Sequence, residues 1–122
     1  MLDLIIKNGS CYIDKDLKDQ DIAIKDGKII KIGKIDNEAK EVFDAKGLTV
    51  LPGCIDTQTH FREPGSTDTE DLHSGSRAAI VGGITSVFEM PNTNPPTSTK
   101  VEFQKKLDLA KNRMYCNYAF YF

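Results

Sequence analysis

The segment LPGCIDTQTHFREPG, residues 51–65, sets four different polar groups at every second position: the carboxylate of Asp56, the amide of Gln58, the imidazole of His60 and the guanidinium of Arg62. Side chains alternate across a strand, so the four are expected on one face, converging near its carboxyl end. Burying such a row is costly unless its members are paired or bind something. A guanidinium suits a two-pronged grip on a carboxylate, and an imidazole suits metal ligation or proton transfer. Alone, His60 would read as a satisfied core histidine; three polar neighbours on its face make it a site residue. Glu63-Pro64-Gly65 then breaks the strand and fixes a loop.

A second segment, EMPNTNPPT, residues 89–97, offers the amides of Asn92 and Asn94 between three stiffening prolines, Pro91, Pro95 and Pro96. By itself it reads as a structural turn, but at the end of a neighbouring strand it can share a pocket with the first segment. Glu89 is either an acceptor behind the site or the buried partner of a base. His73 reads as part of a solvated helical face, and Lys25, Lys28, Lys31 and Lys34 as decoration of a hairpin. No Gly-rich phosphate loop, G-x-S-x-G elbow or paired catalytic Cys and His is present.

Hydrophobic spacing indicates what holds these groups. Residues 2–50 alternate apolar with polar and read as short strands with turns at Asn8-Gly9, Asp14 to Asp16, Asp26-Gly27 and Gly47. Asp26-Gly27 between two alternating runs is a hairpin signal. Large residues are too few there for an independent core, so this β layer should pack on something larger. From Cys54 the pattern becomes strand (CIDTQTHF), helix (TEDLHSGSRAAIVGG), strand (ITSVFEMP), helix (TKVEFQKKLDLAKNR) and strand (MYCNYAFYF). Gly82-Gly83 should stop the first helix. The second has a capping-box pattern in Thr99 and Glu102, with Phe103, Leu107, Ala110 and Met114 on one face. Alternating strands and helices predict α/β architecture with a parallel sheet. A (β/α)8 barrel needs roughly 250 residues, so the sheet should be incomplete. The alternative is a small three-stranded α/β domain.

The 122 residues carry a net charge of −2, with 28% charged and 39% hydrophobic residues, which fits a globular protein. Charges of both signs are interspersed and form no basic stripe, so no nucleic-acid partner is expected. No apolar run reaches the roughly 20 residues of a spanning helix, so no membrane partner is expected. Cys11, Cys54 and Cys116 are widely spaced and form no metal-binding pattern, which predicts buried, reduced thiols in strands. The start LDLIIKNG has no signal-peptide character. A cytoplasmic location is expected.

The two segments together, PGCIDTQTHFREPG and MPNTNPPT, resemble dihydroorotase among the cyclic amidohydrolases of the amidohydrolase superfamily, and the likeness extends over essentially the whole chain. The resemblance implies part of an amino-terminal β-sandwich at 1–52 and the first βα units of an incomplete (β/α)8 TIM-type barrel at 53–122. It also implies one or two zinc ions in the full-length protein and hydrolysis of dihydroorotate, or its formation from N-carbamoyl-aspartate, in pyrimidine synthesis. His60 matches the second His of the family's metal-binding pair, while Gln58 stands where the first His is usual; a neutral amide is the poorer zinc ligand. Arg62 and Asn92 match residues that hold the substrate carboxylate. The remaining ligands and the general acid/base Asp belong to later strands, so no catalytic residue is expected within this chain. Implied partners are a small-molecule substrate and either further copies of the protein or aspartate transcarbamoylase. Rival readings are a catalytically silent homologue serving as a structural partner of that transcarbamoylase, an allantoinase or hydantoinase type, and a standalone binding module.

Overall fold

Asp26 and Gly27 both take left-handed backbone angles, φ 51° and 70°, as a two-residue hairpin turn requires. They join β2 (Asp16–Lys25) to β3 (Lys28–Gly33), and the Asp26 amide donates to Asp3 Oδ2 at 2.7 Å. The structure, a computed structural model, describes residues 1–122 and divides into two compact units, Met1–Pro52 and Gly53–Phe122.

In the first unit, β1 (Leu2–Ile13) pairs antiparallel with β2 and parallel with β4 (Ala39–Asp44) and β5 (Thr49–Val50). The sheet order is β3-β2-β1-β4, with β5 beside β1. Asn8-Gly9 does not end a strand as its sequence suggests. Asn8, at φ 60°, forms a bulge within the twelve-residue β1, and its side chain donates to Asp44 Oδ1 at 2.9 Å. Pairing on both sides carries β1 past a dipeptide that would turn an isolated chain. The core is small: Ile5, Ala23 and Ile35 are buried, with Leu2 and Ala39 packed against them. Ile29, Ile30, Val42 and Phe43 stay exposed.

The second unit runs β6 (Cys54–Thr59), α1 (Leu72–Val81), β7 (Ile84–Glu89), α2 (Lys100–Ala110) and β8 (Asn117–Phe120), with the strands parallel in the order β6-β7-β8. The expected strand–helix alternation is present, as a mixed α/β unit with a three-stranded sheet. Phe61, Leu72, Ala79, Val87, Ala110, Cys116 and Phe120 form its buried core. Burying each large side chain of this kind is worth about 1.5–3 kcal/mol.

Both helix starts differ from expectation. The complete capping box is at α1, where Asp71 Oδ1 accepts from the Ser74 amide at 2.6 Å and Ser74 Oγ accepts from the Asp71 amide at 3.1 Å. At α2 only half a box forms: Thr99 Oγ1 accepts from the Glu102 amide at 3.2 Å, while the Glu102 carboxylate turns to Lys105 at 2.9 Å. Helix α2 ends at Ala110, so Met114 lies beyond it, though still packed on the core. Gly82 and Gly83 do end α1, their amides donating to Ala78 and Ile80 carbonyls, each at 3.0 Å. Among the thiols, Cys11 in β1 and Cys116 just before β8 are buried, whereas Cys54 is exposed, opening β6, a strand in which only Thr59 is buried.

Candidate active site

The site is built where β6 and β7 end. One further bond extends the ladder past the end of β7, the Met90 amide donating to the carbonyl of Thr59, the last residue of β6, at 2.9 Å, so the two following loops begin side by side. The loop after β7 folds on itself: the amides of Thr93 and Thr97 both donate to the Pro91 carbonyl at 2.9 Å, and Thr93 Oγ1 donates to the Pro95 carbonyl at 2.9 Å. The Asn94 amide reaches across to the Pro64 carbonyl at 3.0 Å. Gly65, at φ 122°, allows that approach, since a Cβ there would lie 2.9 Å from the Asn94 Cβ.

His60 and Asn92 are brought into contact, with Nδ1 of the imidazole 2.9 Å from Oδ1 of the amide. An amide oxygen only accepts, so the ring must donate from Nδ1. In the neutral imidazole this leaves the Nε2 lone pair free, the tautomer a metal ligand needs. The Asn92 side chain is exposed, and its NH2 remains available to an incoming acceptor.

The other members of the expected row are placed differently. Asp56 Oδ1 accepts from the Gln58 amide at 2.9 Å, so this carboxylate serves its own strand. Between Asp56 and Thr59 the register with β7 shifts, and Arg62 takes a left-handed φ of 63°. Strict two-residue alternation therefore does not run from Asp56 to Arg62, because local turns replace the pleat at the strand end. Gln58 and Arg62 are exposed, and neither side chain makes a hydrogen bond or ion pair.

Beneath the loops lie two ion pairs. Glu63 is buried at 6% exposure and receives both prongs of Arg113, Nη1 to Oε1 at 2.7 Å and Nη2 to Oε2 at 3.1 Å, while Oε2 also accepts from the Leu72 amide at 2.9 Å. Glu89 and Lys106 are fully buried and paired, with Lys106 Nζ also donating to the Met90 carbonyl at 3.1 Å and lying 5.1 Å from the centre of the Phe120 ring. Burial pushes the Glu89 carboxyl above the usual carboxylate range, against the pull of Lys106. Of the two sequence readings of Glu89, the structure shows the buried partner of a base. His73 is exposed, as expected of a helical face, but its ring stacks edge-on with Tyr115, centroids 5.1 Å apart.

Lys106 and Arg113 escaped the sequence reading. Lys106 left a signal: it stands three residues after Phe103 and four before Ala110, on the apolar side of α2. A lysine on such a stripe must find a buried partner. Arg113 left none, because its partner is fifty residues away.

No group of three His, Cys, Asp or Glu is gathered to hold a metal ion. By donor type, the imidazole of His60, bonded through Nδ1 to Asn92, is suited to metal ligation, and the neutral amide of Gln58, two residues before it in sequence, is less so.

Comparison with known proteins gives this arrangement a context. Residues 49–122 match the model of the amidohydrolase family. Allantoinase of Escherichia coli is 46% identical over 113 residues, covering 92% of this chain and 25% of the relative. The structure of an L-hydantoinase (dihydropyrimidinase) from Arthrobacter aurescens superimposes with a TM-score of 0.89 at 35% identity, over 99% of this chain and 28% of that one. An N-acyl-D-glutamate deacylase from Bordetella bronchiseptica, complexed with zinc and a phosphonate inhibitor, matches with a TM-score of 0.60 at 28% identity, over 72% of this chain and 18% of that one. The chain thus spans about a quarter of the length of the relatives it matches.

Proposed function

Because the chain belongs to the amidohydrolase family, we propose that it supplies one wall of the active site of a metal-dependent enzyme that hydrolyses a cyclic amide, of the dihydroorotase type. In the full-length protein the three parallel strands would be the opening strands of a (β/α)8 barrel at 53–122, and residues 1–52 part of a flanking β-sandwich. The observation that carries the reading is the His60–Asn92 pair at the strand end, which in the neutral ring puts the proton on Nδ1, two residues before the exposed, unpaired Arg62.

His60 would hold the metal, with Gln58 the weaker candidate beside it. A zinc ion held there would supply a nucleophile for an amide carbonyl at neutral pH. This chain's own contribution is to bind and orient. Arg62 would grip a substrate carboxylate with two prongs, and Asn92 would donate its NH2 to the same group while its oxygen keeps the His60 proton on Nδ1. The acid/base that moves protons on the leaving nitrogen would come from strands beyond those described here. Further copies of the protein, or aspartate transcarbamoylase, are the partners this reading suggests. No helix is long and apolar enough to cross a membrane.

Two observations favour rivals. The 46% identity to allantoinase favours allantoin, a cyclic amide without a carboxylate. Gln58, the poorer ligand, favours a silent homologue.

Steady-state kinetics of the full-length protein and its Arg62→Lys variant, with dihydroorotate and with allantoin, test all three. Lys keeps the charge but loses the fork, so dihydroorotate turnover should lose roughly 1.5–3 kcal/mol of binding with the melting point unchanged. Allantoin turnover indifferent to Arg62 would establish the first rival. A folded, zinc-loaded protein that turns over neither substrate would establish the second.

A further inference from the structure

Arg62 is exposed and unpaired, and its backbone is left-handed at φ 63°, a conformation a non-glycine residue keeps only when its surroundings impose it. The residues on either side supply that constraint. Phe61 is buried at 6% exposure, its ring against α1 so closely that a Cβ on Gly75 would stand 2.4 Å from Cδ1. Glu63 is buried and held at three points, by the two prongs of Arg113 and by the Leu72 amide. Arg113 is itself fixed, with Nη1 donating also to the Leu109 carbonyl at 3.0 Å and Nη2 lying 3.8 Å from Asp71 Oδ2. The Arg62 carbonyl accepts from the Ser66 amide at 3.0 Å, closing the turn. Arg62 is thus the one residue of Phe61-Arg62-Glu63 whose side chain points to solvent, between two anchored neighbours.

We propose that Arg113 is a positioning residue that sets the direction of the Arg62 guanidinium, acting through Glu63. The inference rests on the reading of Arg62 as the carboxylate grip and adds what makes that grip rigid. Arg113 touches no substrate. Its fork fixes the Glu63 carboxylate in one plane, and this fixes the peptide between Arg62 and Glu63. A guanidinium placed by a rigid backbone loses less freedom on binding, so the gain should appear only for ligands that present a carboxylate to it.

The test uses two probes that differ only in that group, dihydroorotate and dihydrouracil. Their affinities for the metal-free full-length protein are measured by titration calorimetry, for the unaltered protein and for Arg62→Ala, Arg113→Met, Arg113→Lys and the Arg62→Ala/Arg113→Met double variant. The unaltered protein should prefer dihydroorotate, and Arg62→Ala should abolish the preference. Arg113→Met should cut it roughly tenfold, equivalent to about 1.4 kcal/mol, without changing the affinity for dihydrouracil. In the Arg62→Ala background the same change should have no further effect on the preference, because both act on one grip. If Arg113→Met does not fold, Arg113→Lys keeps the charge without the fork and should show the same selective loss. Equal weakening of both probes, or an intact preference in a folded Arg113 variant, overturns the proposal and leaves the role of Arg62 standing. No preference in the unaltered protein, or a preference that survives Arg62→Ala, overturns the carboxylate grip and this proposal with it.

Discussion

His60 Nδ1 and Asn92 Oδ1 lie 2.9 Å apart across thirty-two residues of sequence, each at the start of the loop that follows its strand. Asn92→Leu would remove the acceptor and free the ring to take either tautomer. Outer partners of metal-bound histidines typically contribute 10–100-fold in affinity, and a loss of about that size is expected here. Competition against a chelator in the full-length protein measures it. Unchanged zinc affinity in a folded variant would show that His60 is not a ligand.

Gln58 precedes His60 by two residues, and its exposed side chain has no bonding partner. Gln58→His adds no charge at neutral pH, and an exposed position should tolerate it. Zinc content after dialysis against a weak chelator should rise, since imidazole is the better ligand. Equal content in both forms would remove position 58 from the metal site.

Lys106 and Glu89 form a fully buried pair. Lys106→Met alone leaves Glu89 uncompensated and should cost about 3–5 kcal/mol in urea unfolding. Combining it with Glu89→Leu should recover much of the loss, because both desolvation penalties then vanish. A double variant no more stable than Lys106→Met would mean that the Met90 carbonyl, not Glu89, is the partner that matters.

Asp71 caps α1, and the Ser74 amide, with the Ser74 hydroxyl and Arg113, holds its carboxyl below the ordinary value of 3.8. A lowered folded-state pKa contributes stability that is present above 3.8 and lost as the pH falls through the lower, folded value. Asp71→Asn keeps an acceptor at the cap but does not titrate, so the acid limb of a pH-stability curve should flatten below 3.8. An acid limb identical to that of the unaltered protein would show that the cap is not linked to folding.

What could be read from the sequence was local. Asp26-Gly27 announced its hairpin because the turn's positive φ values are demanded by the two residues themselves. The strand–helix alternation after Cys54 announced itself through periodicity alone. Asn8-Gly9 misled because pairing with strands on both sides, which adjacent residues cannot reveal, turned a turn signal into a bulge. Thr99 and Glu102 misled more mildly, since Lys105 competes for the Glu102 carboxylate. At the site, residue types marked the two loops, but the contact between His60 and Asn92 depends on how those loops cross. Alternation along β6 failed at the bulge and at Arg62, where the chain leaves the pleat. Specificity between related cyclic amides was not legible either, because the motif that suggested dihydroorotase sits in a chain 46% identical to allantoinase.

The two kinds of strand pairing also imply an order in time. Strands β2 and β3 meet across two residues, so their hairpin can close within about 1–10 μs of the chain being free to move. Ile55 and Ser86, by contrast, meet only after roughly thirty residues have been looped back, an entropic cost incurred before any parallel contact repays it. Helix α1 lies inside that loop and shortens it as it forms. The parallel sheet should therefore wait on its helices, and the loops that carry His60 and Asn92 should be among the last parts of the chain to reach their final geometry.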